Sequence, residues 1–267
     1  MFDDGLEDAA VAASPDGYVP LPSLCRDDRD RRRYAWLTRM YAYALYAVLG
    51  AAMFHLIPLW ALAAAVPFIY LRMALALHEL LHVCPPDQAP RFHQLTMIFE
   101  SPMCLGYREH RAIHFAHHRF ASTDRDPEQY QIEGGAARAF VNAMISPERG
   151  FIRWVRQHGV SRSLAEDAGT RGVVFVALVV VNPTVFFVYW LSLRVSVGFA
   201  SFVFHHVLHN LDGELGTFRL PASDRVVRAA RVVFGREPML ILTEHERHHQ
   251  WPRVRAKDLP LLPEPRA

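Results

Sequence analysis

The sequence predicts an all-α membrane protein: four transmembrane helices in two hairpins, with a cytoplasmic helical cap. Three observations predict it. Hydrophobic residues make up 51% of the 267-residue chain, and they are bunched into two blocks, roughly 34–77 and 172–204, each with room for two spans of about 20 residues. Four histidine clusters lie at or beyond the ends of these blocks, and only an even number of spans in each block leaves all four on one side. The polar stretches between the blocks carry apolar residues at helical spacing. The net charge of +2, with no basic stripe interleaved with aromatics, argues against nucleic acid as a partner.

Residues 1–33 read as a mobile tail. They open Met1-Phe2-Asp3-Asp4, which is no signal peptide, and end in the charge run Arg26 to Arg33. That run is either a solvated helix start or the basic flank that marks the cytoplasmic side of a first span. From Tyr34 to about Leu77 the chain is almost continuously apolar, with a reversal expected near Pro58, between Ile57 and Trp60. Arg72 then nears the cytoplasmic interface and can snorkel. A buried helical hairpin in a soluble protein fits the same block, but nothing else in the chain could cover about 40 apolar residues.

Residues 83–170 are more polar. The stretches Ala136 to Ile145 and Phe151 to Val160 are amphipathic helices, lying on the membrane surface or packed on a site. The second block contains Asn182-Pro183, a turn signal, although the reversal also fits Tyr189 to Arg194. A single domain spans residues 34–262, with a short tail at 263–267. Cys25, Cys84 and Cys104 have neither metal-ligand spacing nor a disulfide framework, as in a reducing compartment.

The histidines carry the chemistry. Of 15, 12 fall in four clusters: His78 and His82; His110, His114, His117 and His118; His205, His206 and His209; His245, His248 and His249. Only His55, His93 and His158 stand apart. Imidazoles three or four apart share a helix face, and neutral imidazole is the commonest protein ligand for transition metals. The inventory exceeds the three or four ligands of one zinc, and so asks for two metals.

The order and spacing of these clusters resemble the membrane fatty-acid desaturase superfamily. His78/His82 forms an HxxxH box after a second span. His114/His117/His118 forms an HxxHH box in the next segment, flanked by Tyr107-Arg108 before it and by Arg119, Thr123 and Asp126-Pro127-Glu128 after it. His245/His248/His249 forms the last HxxHH box, followed by Pro252 and Leu259-Pro260. The resemblance covers roughly residues 35–262. It implies a non-haem di-iron centre with O2 as co-substrate, acting on an acyl or other apolar substrate, carrier-bound or small, at a bacterial inner membrane with both termini cytoplasmic. It implies a ninth ligand from the end of the fourth span: His209 is the match, with His205 and His206 competing, and a histidine stands where relatives have asparagine. His110 is an extra. No haem-binding His-Pro-Gly-Gly is present, so electrons come from a separate ferredoxin or cytochrome b5 with its reductase. Desaturases, hydroxylases, ketolases and acetylene-forming enzymes share these boxes.

Two rival readings are available. His78-Glu79-Leu80-Leu81-His82 is literally HExxH, the zinc-peptidase motif with glutamate as general base, and Leu211-Asp212-Gly213 supplies a later partner motif for an intramembrane protease. That reading leaves the other histidine clusters idle. A histidine-lined metal transporter would place polar residues at the membrane midplane, whereas these histidines sit at span ends.

Overall fold

A computed structural model describes residues 19–88 and 101–264. His93, residues 1–18 of the expected tail, and residues 265–267 lie outside them. The described chain is mostly helical, as expected. Helix α1 (Asp28–Met53) starts within the expected tail because Asp27 caps it: its carboxylate accepts from Arg29 N at 2.7 Å and Asp30 N at 3.1 Å, while Asp30 reaches back to Asp27 N. Asp28 and Asp30 further suit the positive helix start. The tail boundary at residue 33 is therefore corrected. From Asp28 onward the charge run forms the first turns of α1, and residues 24–26 before it pair with residues 253–255.

The chain reverses at His55, in the left-handed region with φ 57°, and α2 (Leu59–Val83) begins after Pro58, where the reversal is expected. Helix α3 (Tyr107–Phe120), a single turn α4 (Gln129–Ile132), α5 (Ala136–Met144) and α6 (Ser146–His158) follow. The two amphipathic stretches are thus α5 and the greater part of α6. Helix α7 (Arg162–Val181) and α8 (Pro183–Ser201) meet at Asn182, whose Oδ1 caps α8 by accepting from Val185 N at 3.2 Å. Of the two reversal points left open, Asn182-Pro183 is the one used: Asn caps, and Pro at the first helical position lacks only an N–H that has no partner there anyway.

At the end of α8 the helix widens into a π-helical segment, Phe202–Val207. A two-residue hairpin follows, β1 (Asn210–Leu211) antiparallel to β2 (Glu214–Leu215), turning through Asp212 and Gly213 at positive φ. Helices α9 (Asp224–Phe234), α10 (Arg236–Thr243) and α11 (His245–Gln250) complete the chain with a 3-10 turn over Ala256–Leu261.

Leu45, Leu49 and Ala52 of α1, Leu62, Val66 and Met73 of α2, and Val185, Tyr189 and Leu193 of α8 form one buried core. Both hairpin turns therefore sit at one end, and the ends of α2 and α8 bring their histidines together at the other, where His78 stacks on Phe204 at 5.3 Å. Four long helices in two hairpins are present, but two rather than four are long and apolar enough to cross a membrane among the described residues: Leu59–Val83 and Pro183–Val207. Charge explains the difference. Helix α1 carries Arg39 with Tyr41, Tyr43 and Tyr46 in its apolar part. Helix α7 carries Arg162, Glu166, Asp167 and Arg171 in its first half. The uncharged remainder of α7, residues 172–181, is about 15 Å long at 1.5 Å per residue, half of a hydrocarbon core of about 30 Å. Large apolar side chains nonetheless face outward on all four, including Trp60 of α2, Val180 of α7, and Phe187 of α8. Arg72 does not simply reach outward: its guanidinium donates to Val233 O at the end of α9.

Candidate metal centre

Four parts of the chain converge on one cluster of imidazoles. The last turns of α2 supply His78 and His82. Helix α3 supplies His114, His117 and His118. The residue before β1 supplies His209, and α11 supplies His245, His248 and His249. They divide into two groups. In the first, the candidate ligand atoms of His78, His82, His118 and His248 all lie within 4.8 Å of one another. His114 joins them, its Nε2 2.9 Å from His82 Nε2. In the second, His117, His209 and His249 meet the same 4.8 Å criterion. His245 joins through Nε2, 3.0 Å from His209 Nε2. The rings of His118 and His249 stack at 4.2 Å and join the groups.

These contacts fit metal ligation. Two nitrogens bound to one ion at about 2.0–2.1 Å and at roughly a right angle lie about 3 Å apart, close to the 2.9 and 3.0 Å found. Both ring nitrogens of His118 and of His248 are buried without a hydrogen-bond partner among the described residues. Leaving such atoms unpaired is costly, and an ion would satisfy one nitrogen of each ring. Burial, and then the neighbouring imidazoles, hold His114, His118, His209, His245, His248 and His249 well below the usual histidine range. They are kept neutral, the state in which imidazole can coordinate. The histidine-rich cluster could therefore hold a metal ion.

The tautomers are set from outside the cluster. His117 Nδ1 lies 2.9 Å from Asp126 Oδ2, and Asp126 is 1% exposed. The other oxygen of Asp126 accepts from Glu128 N at 2.8 Å. His209 Nδ1 donates to Gly216 O at 2.8 Å, across the small hairpin. Each bond leaves Nε2 free to face the group. Glu79, buried beside His78, is held by Arg26 Nη2 at 2.7 Å to both carboxylate oxygens.

The cluster separates the three histidines competing at the end of α8. His209 is 0% exposed and inside the second group. His205 instead pairs with Glu128 (Nε2 to Oε2, 3.1 Å) and donates through Nδ1 to Ser201 O. Burial raises the Glu128 carboxyl, but the adjacent His205 imidazole outweighs it and leaves the group lowered to about 2. His206 donates to Ile132 O at 2.9 Å. His110 lines the adjoining cavity and belongs to neither group. In the sequence Asp126 and Glu128 stand only as residues flanking a histidine box, and Arg26 only as one member of a charge run. The Asp-Pro-Glu following an HxxHH box was the available signal for the first two.

A cavity of about 650 Å³ opens beside the imidazoles. Met73 and Leu77 of α2, Ile113 of α3, Trp154 of α6 and Phe204 line its apolar part, and Tyr130, Arg153 and Gln157 its polar part. No protein-family model, curated protein or solved structure matches this chain.

Proposed function

We propose that this protein is an integral-membrane, non-haem di-iron oxidase that desaturates a fatty acyl or related lipid-like substrate, using O2 and electrons from a separate ferredoxin or cytochrome b5 with its reductase. One observation carries the reading: nine buried or half-buried, mutually facing histidines, in the box order of the desaturase-like resemblance, divide into groups of five and four beside a largely apolar cavity. All-imidazole sites suit iron, and two groups ask for two ions. Bound there, the iron pair would supply dioxygen activation and oxidation of an unactivated C–H bond. Forming one C=C bond takes two hydrogens from the substrate; with O2, two further electrons and two protons, it yields two waters.

The chain's own residues have defined tasks in this scheme. Met73, Leu77, Ile113 and Phe204 exclude water and align an apolar chain against the imidazoles. Asp126 and Gly216 O fix the tautomers of His117 and His209. The outward-facing apolar side chains support four membrane-embedded helices, with α1 and α7 placing their charged first turns beside the cap. Both hairpin turns then lie on the far side, and the metal cap and both termini on the cytoplasmic side, as the Arg26 to Arg33 run favours.

The peptidase reading of His78-Glu79-Leu80-Leu81-His82 fares worse. A general base needs a carboxylate oxygen turned to the metal-bound water, whereas both oxygens of Glu79 are taken by Arg26. The deciding experiment is metal analysis of protein purified in detergent, with lipid profiling of cells carrying or lacking the gene. Two irons per chain and a shift in lipid unsaturation are expected. One zinc per chain without iron would overturn the proposal in favour of the peptidase.

A further inference from the structure

We infer that Arg26 is a positioning residue for the five-histidine group, holding Glu79 against His78 while pinning the turn that follows His248 and His249. The inference rests on the metal reading proposed above and concerns a residue far from every histidine box in sequence.

The observations converge on this one side chain. Arg26 Nη2 lies 2.7 Å from both oxygens of Glu79, and the two side chains are only 2% and 3% exposed. Glu79 Oε1 in turn lies 3.4 Å from His78 Nδ1. No hydrogen bond joins the two, but an anion this close to Nδ1 favours the proton there and leaves Nε2 as the lone pair offered to an ion. The other terminal nitrogen of Arg26 donates to Pro252 O, beyond the last histidine box. The backbone repeats the connection. Arg26 N donates to Arg253 O at 2.8 Å, Arg255 N donates to Leu24 O at 3.1 Å, and Cys25 bridges Val254. Residues 24–26 thus lie as a strap along residues 253–255, and the strap inserts one guanidinium between the first and last boxes. Arginine suits the place because its planar fork can satisfy a carboxylate and a carbonyl together, whereas lysine offers a point charge.

A purely structural ion pair would tie the strap down without affecting the metal. Two variants separate the alternatives. Arg26→Gln leaves Glu79 buried without its cation, and Arg26→Gln/Glu79→Gln removes both charges and so relieves that penalty. Full-length apoprotein in detergent is titrated with cobalt(II) against a competing chelator, following the visible ligand-field bands. Bands are assigned to the two groups with His82→Ala and His117→Ala, and thermal unfolding is measured in parallel.

Arg26→Gln is expected to weaken cobalt binding about 10–100-fold at the five-histidine group and to leave the four-histidine group unchanged. The double variant should recover thermal stability but not cobalt affinity at the five-histidine group, because no anion remains beside His78. Recovery of both, or wild-type binding in Arg26→Gln, overturns the inference. If Arg26→Gln does not fold, Arg26→Lys decides: a several-fold loss confined to the five-histidine group supports the inference, and wild-type binding overturns it. Failure of the wild-type protein to bind cobalt at all would overturn the metal reading and this inference with it, before any variant is made.

Discussion

Replacing Asp126 by asparagine takes away one acceptor from a carboxylate that uses both oxygens. In the native site Oδ2 faces His117 Nδ1 at 2.9 Å, and Oδ1 accepts from Glu128 N at 2.8 Å. The amide of asparagine has a single oxygen, so one of two donors must face an NH2 group. If the backbone bond is kept, His117 loses the anion that fixes its tautomer. Loss of such an outer partner typically costs about 10–100-fold in metal affinity, or about 1.4–2.7 kcal/mol. The donor left without an acceptor is buried, since Asp126 is 1% exposed, which adds about 1–3 kcal/mol of lost stability. The cost should fall on one group of histidines: His117 sits with His209 and His249, while His78, His82, His118 and His248 are held elsewhere. Titration of apoprotein with cobalt(II) should therefore show one wild-type and one weakened phase for Asp126→Asn. Two wild-type phases, or equal weakening of both, would refute the assignment of Asp126 to His117 and of His117 to a separate ion.

Other expectations follow from the same arrangement. His117→Ala and His248→Ala should each abolish oxygen-dependent activity, whereas His55→Gln and His158→Gln, outside both groups, should keep it; full activity in His248→Ala would dissolve the ligand assignment. Glu79→Gln should retain measurable activity and two ions per chain, although weakened. A dead variant with normal metal content would give Glu79 a chemical role. Chelator-stripped protein should lose stability as pH falls. The six histidines lowered in the folded state titrate near pH 6.5 once unfolded. The unfolded chain therefore binds more protons below that value, and stability present above about pH 6.5 is lost on acidification. An unfolding temperature unchanged between about pH 7 and about pH 5 would contradict this. Reporter fusions at Arg33, Gln157 and Glu264 should all read cytoplasmic, and a periplasmic signal at Gln157 would break the proposed topology.

The helical hairpins and the three histidine boxes were legible because they are written in local pattern: long apolar blocks, Pro58, Asn182-Pro183, and imidazoles three and four apart. What was not legible depends on contacts between distant segments or on departures from the regular helix. His205 and His209 should share a face of an α-helix, which is why the sequence leaves them in competition. The π-helical turns at Phe202–Val207 widen the repeat, since each bond spans five residues rather than four. They turn His205 to Glu128 while His209 enters the cluster. Arg26 looks like its arginine neighbours because nothing local distinguishes it. Only the pairing of residues 24–26 with 253–255 buries it. Composition likewise overstated α7, whose charged first half was separated from the apolar block as if it belonged to another element.

The cluster draws its histidines from positions as far apart as His78 and His249, which sets an order for biogenesis. At a synthesis rate of about 5–20 residues per second, the interval between making His82 and making His248 is on the order of 10 s. During that interval the nascent chain carries both early boxes without the last one, and Arg26 without the segment it straps. On the di-iron reading, neither group has all its ligands until α11 has been translated and folded back. Filling of either complete group then has to wait until α11 has been made. Cells starved of iron would accumulate finished chains awaiting ions, and a pulse of iron after synthesis has stopped should be enough to fill them.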